Sequence, residues 1–288
     1  MTLIGREAHM QAIEKNGLQL DLENSSSIEK IRLQTSTEAS AVKDADLILF
    51  CVKSTDSESV AQAIAPHLSP HAVIISLQNG VENASLITRY VKNAVIPAVV
   101  YVASEISAPG YVKHRGRGDL VIGTTSPARL PHPHQSLTDI ADFFATAQVA
   151  VRISDNVMRE LWSKLMVNCA FNAISGLSQL TYGKLAARDS IRSTQTDVVK
   201  EVIAVAKADG VVLSESAALE TVAHLAVAMA GQKSSTAQDM ARHRISEIDH
   251  LNGFIVRRGY AHGIATPVNQ ALYALVKLVE SSYAESTP

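Results

Sequence analysis

Apolar positions along this chain change their period near the middle. In the first half they come as short unbroken runs separated by helical patches. Residues 2–4 form an apolar run that stops at Gly5-Arg6-Glu7, and a helix is expected over 8–16, ended by Gly17. A short strand is expected over 28–34. The run ADLILFCV, 45–52, has the continuous apolar character of a parallel strand covered on both faces. A helix over 57–68 follows, then a buried strand and turn in HAVIISLQNG, a helix over 81–90 and a strand over 93–103. This alternation argues for an open parallel sheet with crossover helices. Residues 111–123 have the turn-rich look of antiparallel strands, and 124–136, rich in Pro, Ser and His, read as a surface loop.

From residue 156 onward the apolar period is helical. Helices are expected over 156–179, 189–209, 214–230, 237–262 and 268–284. The fold class that follows is α/β: a Rossmann-like parallel-sheet domain over 1–152, then an all-helical domain over 153–288, with the boundary near 151–157.

Composition narrows the function classes. The 288 residues are 47% hydrophobic, enough to build two cores. A formal net charge of -2 provides no general field for nucleic acid or an anionic membrane. No apolar run reaches the roughly 20 residues of a membrane span, and Arg6 and Glu7 come too early for a secretory signal. A soluble, cytoplasmic protein is expected. Cys51 and Cys169 sit in apolar segments and read as two buried small residues, not as a disulfide or metal site. His132 and His134 flank Pro133 without further metal ligands nearby.

Ligands of open parallel sheets bind outside the carboxyl ends of the strands. Arg6, Lys53 and Asn79 each end an expected strand there. A basic residue after such a strand, as at Arg6, suits a nucleotide 2'-phosphate. The helical half adds ELWSKLMVNCAFNAISGL, in which Glu160, Lys164, Asn168 and Asn172 recur every four residues and share a slowly drifting face. Asn is a poor helix former, and a solvated face more commonly carries Glu, Lys, Arg and Gln. Lys with two Asn in so apolar a helix therefore points to buried polar work. In SSTAQDMARHRISEIDHLNGF, Ser235 or Thr236 is expected to cap a helix, with Glu247 three turns in and Ile248, Leu251, Phe254 and Ile255 as the packing side. A buried Lys calls for such a carboxylate.

Those helical segments, together with DLILFCVKS, SLQNGVEN and YVASEISAPGYVKH in the same order, resemble the ketopantoate reductase (2-dehydropantoate 2-reductase) family over essentially the whole chain. The resemblance implies NADPH-dependent reduction of a 2-keto group in the pathway to pantothenate and coenzyme A. It implies that Lys164 is catalytic and that Asn168, Asn172 and Ser235 hold the substrate, with Ser235 at its carboxylate. Glu247 would engage the substrate hydroxyl side and Asn79 the nicotinamide ribose and the substrate. Arg6 and Lys53 would select the 2'-phosphate, and Ala103 would make a backbone contact to the cofactor.

The sequence departs from the family at two places. The family begins with a strand, a G-x-G-x-x-G fingerprint and a helix; none occurs here, so the chain is expected to start at the second strand, with cofactor affinity weakened. Where some members place a further substrate-binding Asn, this chain has Tyr182. Two other readings stay open: a reductase of another branched 2-keto acid, and an inactive relic whose helices serve as an interaction or dimer module. A small-molecule substrate is expected, without nucleic acid or membrane partners, and the long apolar helices leave room for a homodimer.

Overall fold

The computed structural model describes residues 1–23, 25–125 and 136–283, and its contacts separate two compact units, Met1–Gln78 with Glu82–Val157, and Asn79–Val81 with Met158–Pro288. In the first unit the unbroken apolar runs become parallel strands. Strand β6 (Val73–Ser76), buried throughout, lies between β5 (Leu47–Phe50) and β7 (Ala94–Ala108) and is parallel to both. Because side chains alternate across a sheet, β6 feeds two cores. Val73 and Ile75 join Ile96, Ile122 and the helix α4 (Leu137–Thr146) through Phe144. Ile74 turns to the opposite face, with Phe50, Ile87 of α3 (Asn83–Ile87) and Ile64 of α2 (Ser57–Ile64).

Strand β7 turns at Gly110, whose φ of 71° suits a residue without Cβ, into β8 (Tyr111–Ile122), antiparallel to it. Strand β8 pairs in parallel with β2 (Leu18–Leu22) and β9 (Val151–Ile153), and β3 (Glu29–Ile31) runs antiparallel to β2. A separate parallel pair joins β1 (Thr2–Ile4) to β4 (Gln34–Ser36), with α1 (Glu7–Asn16) between them in the chain.

Several expectations are corrected here. Strand β5 is not covered on both faces: among the described residues it pairs only with β6, and Leu49 is 42% exposed. Cys51, which follows it, is exposed, whereas Cys169 is buried. The strand expected over 28–34 is two short strands in different sheets, β3 and β4. The turn-rich 111–123 is one long strand, because register shifts against β7 absorb its glycines. The expected loop over 124–136, with His132 and His134, lies largely outside the described residues.

The second unit is helical: α5 (Val157–Ser178), α6 (Tyr182–Ala186), α7 (Asp189–Ala208), α8 (Glu215–Ala228), α9 (Ser235–Met240), α10 (Asn252–His262) and α11 (Pro267–Ser281). One core gathers Trp162, Leu165 and Phe171 of α5, Val198 and Val202 of α7 and Phe254 and Ile255 of α10. Trp162 packs on Phe254 and Phe171 on Tyr182, with ring centroids 5.6 and 4.6 Å apart. None of the described helices is long and apolar enough to cross a membrane.

The single helix expected over 237–262 is broken in two. Helix α9 ends at Met240, His243 has a φ of 50°, and only a short 3-10 turn, Ile248–His250, interrupts the irregular chain before α10. Beyond the break the irregular chain is held by a tertiary contact: the Ser246 N–H and hydroxyl both donate to the buried Glu280 carboxylate of α11, at 2.8 and 2.6 Å. Glu247 therefore sits on a connection, not three turns into a helix.

Candidate active site

Helix α5 presents its polar stripe from the edge of a packed helix. Trp162, Leu165, Met166 and Cys169 are buried, while Lys164 and Asn168 are half-buried and Asn172 is buried. Asn79 belongs to the same compact unit, and Gly80, with a φ of 93°, turns the chain just after it. The Lys164 ammonium donates to Asn79 Oδ1 at 2.9 Å, and Asn79 Nδ2 donates to Glu247 Oε2 at 3.1 Å. An ammonium can only donate and a carboxylate can only accept, so the two neighbours dictate which way the amide faces. The result is a cation and an anion joined through one oriented amide.

Asn172 reaches the start of α9, where its Nδ2 donates to the exposed Ser235 hydroxyl at 3.5 Å, the outer limit of a hydrogen bond. Neither Ser235 nor Thr236 caps α9. The cap is Ser234, which accepts from the Ala237 N–H at 3.0 Å and donates to the Asn172 carbonyl. Gly176 permits this approach, since a Cβ there would lie 2.7 Å from Met240 Sδ and 2.9 Å from Thr236 Cγ2. Lys164, Asn79 and Glu247 thus form one bonded set, and Asn172 with Ser235 a second contact in the same unit.

The remaining candidates lie in the first unit. Arg6 follows β1, is 84% exposed at its side chain and donates to Asp56 at 3.2 Å. Lys53 is half-buried and precedes a 3-10 turn, Ser54–Asp56, after β5. Ala103 falls in the register shift between Val102 and Ser104 of β7.

Sequence reading passed over a buried polar network beneath the strand ends. Gln78 donates to the Val52 carbonyl at 2.9 Å and to Ser57 at 2.7 Å, Ser57 donates to Asn83, and Asn83 to Ser54. It ties the end of β6 to the end of β5. Its signal in the sequence was slight, a Gln at the polar end of the run VIISL. Tyr182, which stands where a further Asn was expected, is a core residue against Phe171, and burial pushes its phenol up to about 12. It contributes packing, not a titrating group near neutral pH.

Two family models match the chain: "Ketopantoate reductase PanE/ApbA" over residues 1–127 and "Ketopantoate reductase PanE/ApbA C terminal" over residues 156–280. The chain belongs to the ketopantoate reductase family. Family members similar to it include the 2-dehydropantoate 2-reductases of Halobacterium salinarum, 30% identical over 97% of this chain and 91% of that protein, and Vibrio cholerae, 31% identical over 93% and 87%. Among solved structures, the PanE/ApbA family ketopantoate reductase of Ralstonia eutropha JMP134 is similar with a TM-score of 0.90 at 46% identity, covering 98% of this chain and 91% of that one. The family is one of oxidoreductases, and the fold is the α/β sheet with a helical C-terminal region that the polarity pattern implied.

Proposed function

We propose that this chain reduces the 2-keto group of 2-dehydropantoate to (R)-pantoate with NADPH. The observation that carries the reading is the Lys164–Asn79–Glu247 set, with bonds of 2.9 and 3.1 Å. A ketone carbon that accepts hydride becomes an alkoxide. The Lys164 ammonium is suited to stabilise that oxygen and give it a proton, an effect of about 10²- to 10⁴-fold for a positioned general acid. Asn79 holds Lys164 in place and turns its amide N–H groups toward Glu247. The Glu247 carboxylate accepts a hydrogen bond from a substrate hydroxyl. Asn168, Asn172 and Ser235 offer neutral groups to orient the substrate carboxylate without adding charge that would compete with Lys164.

When bound, a nicotinamide supplies the hydride. Arg6 and Lys53, basic groups at the ends of β1 and β5, suit the 2'-phosphate that distinguishes NADPH from NADH. Ala103, at the irregular part of β7, suits a backbone contact. The pyrophosphate fits less well. The sequence holds no G-x-G-x-x-G, the motif that would cradle it at a helix N-terminus. No pyrophosphate cradle is assigned to this chain's residues.

The test is a fluorescence titration with NADPH and NADH, followed by turnover of 2-dehydropantoate and of its analogue lacking the hydroxyl group. Oxidation of NADPH in preference to NADH, coupled to reduction of the hydroxylated keto acid in preference to its analogue, is the expected result. Equal rates on the two keto acids would remove the role of Glu247 and favour a reductase of another branched 2-keto acid. Absence of turnover on both would sink the reading.

A further inference from the structure

Glu280 is the one charged side chain among the buried described residues, at 3% exposure. An ionised carboxylate in such a place is unfavourable unless several partners compensate it. Its Oε1 accepts both the backbone N–H and the hydroxyl of Ser246, which is itself fully buried. Its Oε2 lies 3.3 Å from the Lys277 ammonium. Ser246 immediately precedes Glu247. On the other side of Glu247, Asp249 accepts from the Tyr273 hydroxyl at 2.7 Å and the Lys277 ammonium at 2.8 Å. Between these anchors Ile248 is buried in a small cluster with Ala173, Met240 and Val276. Helix α11 therefore grips the irregular connection on both sides of the residue whose carboxylate meets Asn79.

We propose that Glu280 is a positioning residue for Glu247. It takes the Ser246 N–H out of the helical ladder and fixes the following carboxylate against the Asn79 amide. This rests on the reading that Glu247 engages the substrate. Glu280 itself touches no substrate; it acts through Ser246. The Oε1 contacts form the anchor, and the Lys277 pair offsets the buried charge.

The test compares Glu280→Gln, Glu280→Ala and Ser246→Ala in the full chain, with Val276→Ala as a control that loosens the same cluster without cutting the anchor. Substrate and cofactor KM, kcat, and amide hydrogen exchange over 246–250 are read for each. Gln retains an acceptor oxygen, so Glu280→Gln is expected to stay within about twofold of the parent in substrate KM. Glu280→Ala and Ser246→Ala are expected to raise that KM by about tenfold, the loss of a hydrogen bond to a charged group. Cofactor KM stays constant, and exchange over 246–250 accelerates in these two variants. A Gln variant as impaired as Ala, a Val276→Ala variant with the same KM rise, or unchanged exchange in Glu280→Ala would overturn the proposal. If the parent chain turns over no 2-dehydropantoate, the functional reading fails, and exchange alone decides whether Glu280 holds the connection.

Discussion

The helical unit gathers its large apolar side chains into one main core, whereas the sheet unit divides them between two faces and, among the described residues, ends in strands paired on one side only. Phe171 and Trp162 are at most 1% exposed, while Leu49 on β5 is 42% and Ile4 on β1 is 39% exposed. The Lys164, Asn79 and Glu247 contacts belong to the helical unit, where hydrogen bonds of 2.9 and 3.1 Å hold the three side chains together. Arg6 and Lys53 stand at the ends of strands that, among the described residues, pair on one side only. A proton donor has to be held rigidly for catalysis, since small misplacements are expensive in rate. Basic residues that attract a phosphate tolerate a looser frame, because charge attraction falls off gently with distance.

The severest way to break this contrast is Lys164→Met. The substitution keeps the stem of the side chain and removes the ammonium. It is expected to lower kcat by about 10²- to 10⁴-fold, with the melting temperature little changed because the lysine is only half-buried. A comparable fall in kcat from Arg6→Ala would place the chemistry in the sheet unit instead. For that variant the expected change is a higher NADPH KM with kcat preserved.

A pair of core truncations sharpens the comparison in stability. Phe171→Ala in the helical unit removes a fully buried ring and is expected to cost about 3–5 kcal/mol in urea unfolding. Leu49→Ala, already exposed over much of its surface, is expected to cost less than about 1 kcal/mol, since little area leaves water there on folding. Equal costs would mean that the β5 edge is covered in solution.

The same contrast explains what could be read from the chain alone. Helix α5 was legible because its signals are local: a long apolar period, no Gly or Pro break until Gly176, and a Lys-Asn-Asn stripe that a solvated face less commonly carries. The run in β6 was legible for the same reason. The break before Glu247 was not. Met240, Ile248, Leu251, Phe254 and Ile255 keep helical spacing through it, and no Gly or Pro marks it. The partner that holds the irregular chain is remote in sequence: Glu280, 34 residues away, accepts the Ser246 N–H. Strand β2 was hidden likewise: LQLDL alternates only briefly, and its partner on one side is β8, whose Val112 pairs with Leu20 across more than ninety residues. Nor could local pattern show that β5 is an edge, because a continuous apolar run reads identically whether or not a neighbour covers it.

The smallest expected effect concerns acid, and it separates ion pairs that tie elements together from those that do not. Burial opposes ionisation of Asp249, but the hydrogen bonds from Lys277 and Tyr273 prevail and hold its carboxyl below the ordinary 3.8. The unfolded chain then takes up this proton at a higher pH than the native one. The contribution is fully present above pH 3.8 and is lost as pH falls through the lower native value. In the sheet unit, Asp119 is also depressed, chiefly by its hydrogen bond from Arg117. Those two residues are neighbours on β8, and Arg117 also lies over the Tyr101 ring of β7, 4.2 Å from its centroid. Asp249→Asn should therefore lower stability at pH 7 by about 0.2–1 kcal/mol, the range of a partly exposed pair, and flatten the fall in melting temperature below pH 4. Asp119→Asn should act in the same direction but less, because its partner lies two residues away on the same strand. Since Asp249 anchors the connection that carries Glu247, its variant should also raise substrate KM slightly while leaving cofactor KM alone. A response of equal size from both variants would show that acid acts without regard to the grip of α11.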